Sequence, residues 1–563
     1  MKLALFLSLL AVAGATMFTS CSGDFSWNFG ENSKWEAPLT FTVPNGSRTA
    51  GMCGPTHDEE MIYGLGSDGK KHYYAVGTDV RGPGITIWQS EDMVTWKDVG
   101  RVFNEENKPA IFKGRGFDYD FNSVSINEKG EYVFLNTKKN GANNYRVGGF
   151  NPFWAACLYY DDASGMYYVY YSCSAFGTRN SFIGCAKSKT VDKGWVDCGP
   201  MIHTRTGDGK RFNAIDPVVF SDADGNPQMA YGSFFGGISM ISLNPKDPSK
   251  LSKPGTHGTT ISLRDDYDKL PYDQDGFEGK MTVSLDGKRF TVYGQEGASI
   301  VYNPDTKYYY LFTSYDRLAW TYHTRVGRSK NLEGPYVDYN GKPMIYKQSE
   351  TGSNDVHGTK IIGPYRWGSI NTGWGANGHT TLFYSADGDL MFGSNSKDRA
   401  NGTSFVALRK VLWTDDGWPV VTPCIYAGEN IKDSFNVPKK AITANGKYAE
   451  WDFIVFSVTD DTTFHRTDVS KTYILNDEGG FSRDVNSNNA VVGGVAWKYY
   501  ASDKKGKAPS MTVLLPDGTS ASGKLSLGWD QDRKQQTVVF SGLTKDGVPV
   551  WGQRISTPLF IQE

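Results

Sequence analysis

Net charge of either sign is almost missing from this 563-residue chain: 59 Lys and Arg against 61 Asp and Glu leave a formal −2. A surface for nucleic acid or anionic membrane needs an excess of basic side chains, so neither is an expected partner. No CxxC or HExxH spacing occurs, which removes the usual zinc arrangements. Cysteine is scarce, 7 in all. After Cys21 there remain Cys53, Cys157, Cys173, Cys185, Cys198 and Cys424. Export would permit disulfides among these, but buried free thiols are the expectation. The apolar stretch from Leu3 to Met17 is too short to span a bilayer.

That stretch has instead the shape of a targeting segment. Lys2 supplies the charge, the apolar run follows, and Phe18-Thr19-Ser20 leads into Cys21. A cysteine in this place resembles the bacterial lipobox. Residues 1–21 are therefore expected to be a lipoprotein signal peptide, with a lipid anchor on Cys21 and a tether over 22–45. The expected location is the outer membrane of a bacterium.

Aromatic residues are plentiful, 14% of the chain with 32 Tyr and 15 Trp. They cluster in a recurring plan, seen best from Glu296 to Ser314, EGASIVYNPDTKYYYLFTS. A polar leader opens it, an apolar strand follows, a turn of Asn, Asp, Pro or Gly comes next, and a second strand ends at Ser or Thr. Asp58, Trp154, Asp216 and His379 open similar stretches, about 60 to 95 residues apart. Irregular repeats of a strand-rich unit predict an all-β fold, a five-bladed β-propeller over 46–430. First strands line a propeller's channel, so the five leaders are expected to converge. Residues 101–150 interrupt the spacing and are expected to hold an insertion beside the cleft. Composition changes near 440. Trp451–Val458, Lys471–Leu475, Val491–Tyr500, Met511–Leu515, Gly523–Trp529 and Thr537–Phe540 read as strands of a small C-terminal β-barrel or sandwich domain over 440–563.

The order of motifs resembles glycoside hydrolase family 43, and within it the endo-acting α-1,5-L-arabinanases with an extra C-terminal β-domain. The matching pieces are THD (Thr56–Asp58), NAIDP (Asn213–Pro217), GSFFGGI (Gly232–Ile238), EGASIVYNPDTKYYYLFTSYD (Glu296–Asp316), RVGRSKNLEGPY (Arg325–Tyr336), Gly378-His379 and DDGWPVV (Asp415–Val421). The resemblance implies an inverting hydrolase of arabinan and arabino-oligosaccharides. It implies Asp58 as general base, Glu296 as general acid and Asp216 as the carboxylate that orients the acid and tunes its pKa. It places Asn213 and Ser233 against the sugar, and His379 beside one calcium ion. Trp154 is a candidate sugar platform, and a monomer is expected. Three departures stand out: His57-Asp58-Glu59 replaces the family's HDP, Trp154-Ala155-Ala156-Cys157 replaces WAPD, and Gly297-Ala298 follows the acid. Glu59 is expected to point to the opposite face of its strand from Asp58. Glu278 is a rival acid.

Inverting hydrolysis needs one carboxylate to deprotonate water and one protonated acid for the leaving oxygen, about 6.5–9.5 Å apart. A second carboxylate beside the acid raises its pKa by repulsion. Two further readings stay open: an exo-acting α-L-arabinofuranosidase or β-xylosidase on the same scaffold, and a non-catalytic glycan-binding lipoprotein. The WMNDPNG signature of five-bladed β-fructosidases is absent.

Overall fold

In this computed structural model most of residues 56–556 are described. Residues 1–55, 110–123, 127–131, 135–152, 265–279, 477–493 and 557–563, with shorter stretches between, lie outside the described residues. The expected signal peptide, the Cys21 anchor, the tether, Cys53, Glu278 and most of the 101–150 insertion fall there. Of that insertion, Val124–Ile126 and Tyr132–Phe134 are described as a separate two-stranded ladder.

The repeats form antiparallel sheets in chain order, in a propeller-like arrangement. The Asp58 sheet runs Thr56–Leu65, Lys71–Asp79, Thr86–Ser90, Lys97–Arg101. The Ala155 sheet runs Trp154–Asp161, Met166–Ser174, Ser181–Ser188, Val196–Thr204. In the Asp216 sheet, Val218–Ser221, Pro227–Tyr231, Ile238–Asn244 and Thr259–Arg264 follow one another. The Gly297 sheet holds Gln295–Asn303, Tyr308–Tyr315, His323–Ser329 and Thr359–Ile362. The His379 sheet pairs Thr380–Tyr384 with Leu390–Asp398, then Ser404–Trp413 and Pro419–Val421.

Turn chemistry fixes the hairpins. Asn303 accepts the N–H of Asp305 on its side chain (2.9 Å) and that of Lys307 on its carbonyl (2.8 Å). Asp222 likewise takes the N–H groups of Asp224 and Asn226, each at 2.9 Å. The strands read as continuous apolar runs because the sheets pack face to face. In Tyr308–Tyr315 every residue after the first is buried. One core joins Trp88, Tyr310, Phe392 and Trp418, and another joins Tyr170, Met229 and Tyr336.

Each first strand is entered through a left-handed residue: Asp58 (φ 54°), Ala155 (39°), Asp216 (53°), Gly297 (55°) and His379 (54°). Register shifts between His57 and Glu60, Trp154 and Cys157, and Glu296 and Ser299 mark bulges there. The leaders read from sequence are therefore not equivalent. Asp58, Asp216 and His379 sit on the strained residue, whereas Trp154 and Glu296 stand one residue ahead of it, level with His57. The last of these sheets meets the first. Thr381 donates to Glu60 (2.9 Å), Asn395 to Asp58 (3.4 Å), and the N–H of Ala386 to the Tyr73 hydroxyl (3.0 Å).

The C-terminal region is one antiparallel sheet in the order Lys471–Asn476, Tyr448–Val455, Pro549–Ser556, Gln535–Thr544, Ser520–Asp530, Ser510–Leu514, Ala496–Tyr500. Pro549–Ser556, absent from the sequence reading, is an inner strand of it. Asp468–Val469 leaves this region and pairs parallel with Tyr365–Trp367, extending the His379 sheet. A buried ion pair ties the two parts: Lys410 Nζ lies 2.7 Å from Glu429, and it also donates to Ser434 Oγ (2.9 Å) and the Leu527 carbonyl (2.7 Å).

Candidate active site

The bulges aim side chains from several sheets at one place. Asp58 lies at its centre. Its Oδ2 is 2.6 Å from Nδ1 of His57 and accepts the Thr78 hydroxyl at 3.0 Å. Its Oδ1 is 3.1 Å from Nδ1 of His379 and 3.4 Å from Nδ2 of Asn395. Burial pushes this carboxyl toward its neutral form, but the charges of His57 and His379 together outweigh burial and hold it well below its ordinary value. His379 answers in kind. Burial disfavours its cation, yet Asp58, then Asp216 and Glu59, push the imidazole up to about 10.

Asp216 and Glu296 go the other way. Burial raises Asp216, and the charges of Glu296 and Asp58 add to this against the pull of His379 and a hydrogen bond from the Gly297 N–H. Burial likewise raises Glu296, with Asp58 adding repulsion, although Ser233 donates to its Oε2 at 2.8 Å. One carboxylate is thus held charged and two are held toward the protonated form. Chemically that is a base beside a proton-bearing acid pair.

Asn213 is buried. Its Nδ2 donates to the Ser233 carbonyl (3.2 Å) and its Oδ1 accepts from Ser181 (2.9 Å), so it braces the residue that meets Glu296. Trp154 is half-buried at the head of its strand, paired with Ser172. Cys157 is a buried free thiol whose sulfur accepts the Val219 N–H at 3.2 Å, and Cys173, Cys185 and Cys424 are buried free thiols as well. Glu59 is fully buried toward Gly393 of the neighbouring sheet, and burial raises its carboxyl well above the ordinary value.

Sequence reasoning passed over His57, Asn395, Thr78 and Ser314 as members of the site. Thr78 and Ser314 did carry a signal, as the hydroxyl residues that end a repeat. Calcium prefers six to eight oxygen ligands. His379 offers one ring already bonded through Nδ1 to Asp58, and among the described residues no group of three or more His, Cys, Asp or Glu stands ready to hold a metal. The side chains around His379 do not form a calcium cage.

Residues 136–419 match the model of glycosyl hydrolases family 43, and 423–552 match its C-terminal lipocalin-like domain. Asp216, Glu296 and His379 lie inside the first match, whereas His57 and Asp58 precede it. The extracellular endo-α-(1→5)-L-arabinanase 2 of Bacillus subtilis is 29% identical over 70% of this chain and 77% of its own. The extracellular endo-α-(1→5)-L-arabinanase of Thermotoga petrophila is 27% identical over 86% of this chain and 91% of its own. The crystal structure of endo-1,5-α-L-arabinanase from Thermotoga petrophila superposes with a TM-score of 0.64 at 22% identity, covering 92% of this chain and 100% of that one. With half of its length matched by the first model and its C-terminal region by the second, the chain belongs to glycosyl hydrolases family 43.

Proposed function

We propose that this protein hydrolyses internal α-1,5-linked L-arabinofuranosyl bonds of arabinan, with inversion, on a ring of five blades. One observation carries the reading: Asp58 is held charged between two imidazoles, while Asp216 and Glu296, from other sheets, are held toward protonation. The left-handed residues at five strand heads and the bonds from the last sheet to the first support the ring. Asp58 serves as the base that takes a proton from water. Glu296 protonates the leaving oxygen, with Ser233 holding its Oε2. Burial and then the charge of Asp58 keep the acid's proton in place, and Asp216, itself held toward its neutral form, orients the acid. His379 keeps Asp58 ionised and oriented. A calcium ion bound here would be held mostly by water and would need the neutral ring of His379, taking over the positive charge that the imidazolium otherwise supplies; the roles above do not depend on it. The curated relatives named above are extracellular by description, which supports export of this chain, anchored through Cys21.

The test is the product profile on debranched linear arabinan. A ladder of arabino-oligosaccharides is expected; arabinose alone would make the enzyme exo-acting, and no product would leave the glycan-binding reading. Cys21→Ser is expected to move the protein from the membrane fraction to the soluble one.

A further inference from the structure

The sequence repeats each end at Ser or Thr, and of these hydroxyls only that of Ser233 has a part in the assigned chemistry. Thr78, Ser172 and Ser314 occupy the same place, opposite His57, Trp154 and Glu296 in the register of their sheets. Each hydroxyl oxygen accepts the N–H of the left-handed residue heading another sheet. Thr78 takes Ala155 (2.8 Å), Ser172 takes Asp216 (3.1 Å), and Ser314 takes His379 (2.6 Å). The strained heads are thereby pinned from the neighbouring sheet.

The other two sheets depart from this. Gly232 stands in the equivalent place, its N–H bonded to the Ile215 carbonyl at 2.8 Å, and a Cβ there would overlap the Gly237 carbonyl. With no hydroxyl to take it, the Gly297 N–H bonds to the Asp216 carboxylate instead. In the His379 sheet Asn395 takes the place, and it reaches Asp58.

Thr78 differs from Ser172 and Ser314 in what its own proton does. A hydroxyl has one proton to give. The Ala155 N–H occupies a lone pair of Oγ1, and Oδ2 of Asp58 lies 3.0 Å away. An ionised carboxylate only accepts, so the direction of both bonds is fixed. We propose that Thr78 is a positioning residue for Asp58, coupling the base's carboxylate to the backbone of the adjoining sheet through one hydroxyl. The inference rests on the reading of Asp58 as the base. Its consequence is geometric: without the hydroxyl Asp58 keeps its histidines but loses the bond that sets the plane of Oδ2, and misaligned reacting groups lose rate faster than binding.

The experiment measures kcat and KM on linear arabinan for Thr78→Val, Thr78→Ala and Thr78→Ser, beside Asp58→Ala, with melting temperature recorded for each. Valine keeps the shape without the hydroxyl, and alanine removes both without crowding, so whichever of the two folds as wild type is read. The expected result is a kcat lower by about 10- to 100-fold with KM within about threefold, and recovery to within about threefold of wild type in Thr78→Ser. Full kcat in the folded hydroxyl-free variant, with Asp58→Ala inactive, overturns the inference alone. Thr78→Ser as impaired as Thr78→Val also overturns it, since the methyl and not the hydroxyl would then matter. An active Asp58→Ala overturns the reading of the base and the inference with it.

Discussion

The imidazole Nδ1 of His379 and Oδ1 of Asp58 lie 3.1 Å apart although the two residues head the last and first sheets of the propeller-like part. Each sets the ionisation of the other: the imidazole is driven toward its cation by the carboxylate, and the carboxylate stays charged despite burial. Asp216 and Glu296, held toward their neutral forms, lie around this pair.

Asp58→Ala and Glu296→Gln are each expected to lower kcat on linear arabinan by at least about 10². Their melting temperatures should stay near wild type if the loss is chemical. Proton NMR in the first minutes of reaction is expected to show the β-anomer of the released sugar, since water attacks opposite the leaving group. An initial α-anomer would falsify the role given to Asp58.

Ser233→Ala should move the alkaline limb of kcat. The hydroxyl donates to Glu296 Oε2, which favours the charged carboxylate and so lowers its pKa. Removing it raises that pKa further, and Glu296 keeps its proton to higher pH. The limb therefore shifts upward, while the maximum falls because the acid is less well held. A limb that moves down, or stays put, contradicts the assignment of Glu296 as acid.

Glu60 is buried, and although it accepts from the Thr381 hydroxyl and the Met61 N–H, burial raises its carboxyl to about 8. A folded-state pKa above the unfolded one means that the folded chain binds more protons between the two values. Stability should then fall as pH rises from about 4.5 toward 8, by about 1.4 kcal/mol for each unit of difference. Glu60→Gln should flatten that slope when the melting temperature is followed against pH. An unchanged slope would show that other groups carry it.

Lys410→Met leaves Glu429 buried without its cation and is expected to cost about 3–5 kcal/mol. The double variant Lys410→Met, Glu429→Leu should recover much of this, because neither charge remains. Denaturant unfolding of both variants checks it. Equal losses in the two would mean that the bonds to Ser434 and Leu527 matter more than the ion pair.

Much of the architecture was legible because turn residues and aromatic runs mark hairpins plainly. Asp216, Glu296 and His379 could be singled out as repeat leaders, and Asp58 by its place before the first hairpin. The bulges could not be read. A one-residue insertion changes no composition, so from sequence Trp154 and Glu296 look level with Asp58. The strand Pro549–Ser556 was hidden by its proline and by Gly552. That glycine reads as a break, but a Cβ there would come within 2.7 Å of the Phe453 ring, so the strand needs it. The role of His57 was hidden because a histidine before an aspartate says nothing of which way either ring or carboxylate turns.

Bonds between the first and last sheets join residues 321 and 337 positions apart, and they end on Glu60 and Asp58. Contacts of that span close the longest loops in the propeller-like part and so carry the larger chain-entropy cost. The base proposed here thus sits on the joint where the last sheet meets the first. On warming, turnover should fade while the sheets themselves are still intact, and activity will be a finer gauge of this joint than any spectrum of the whole molecule.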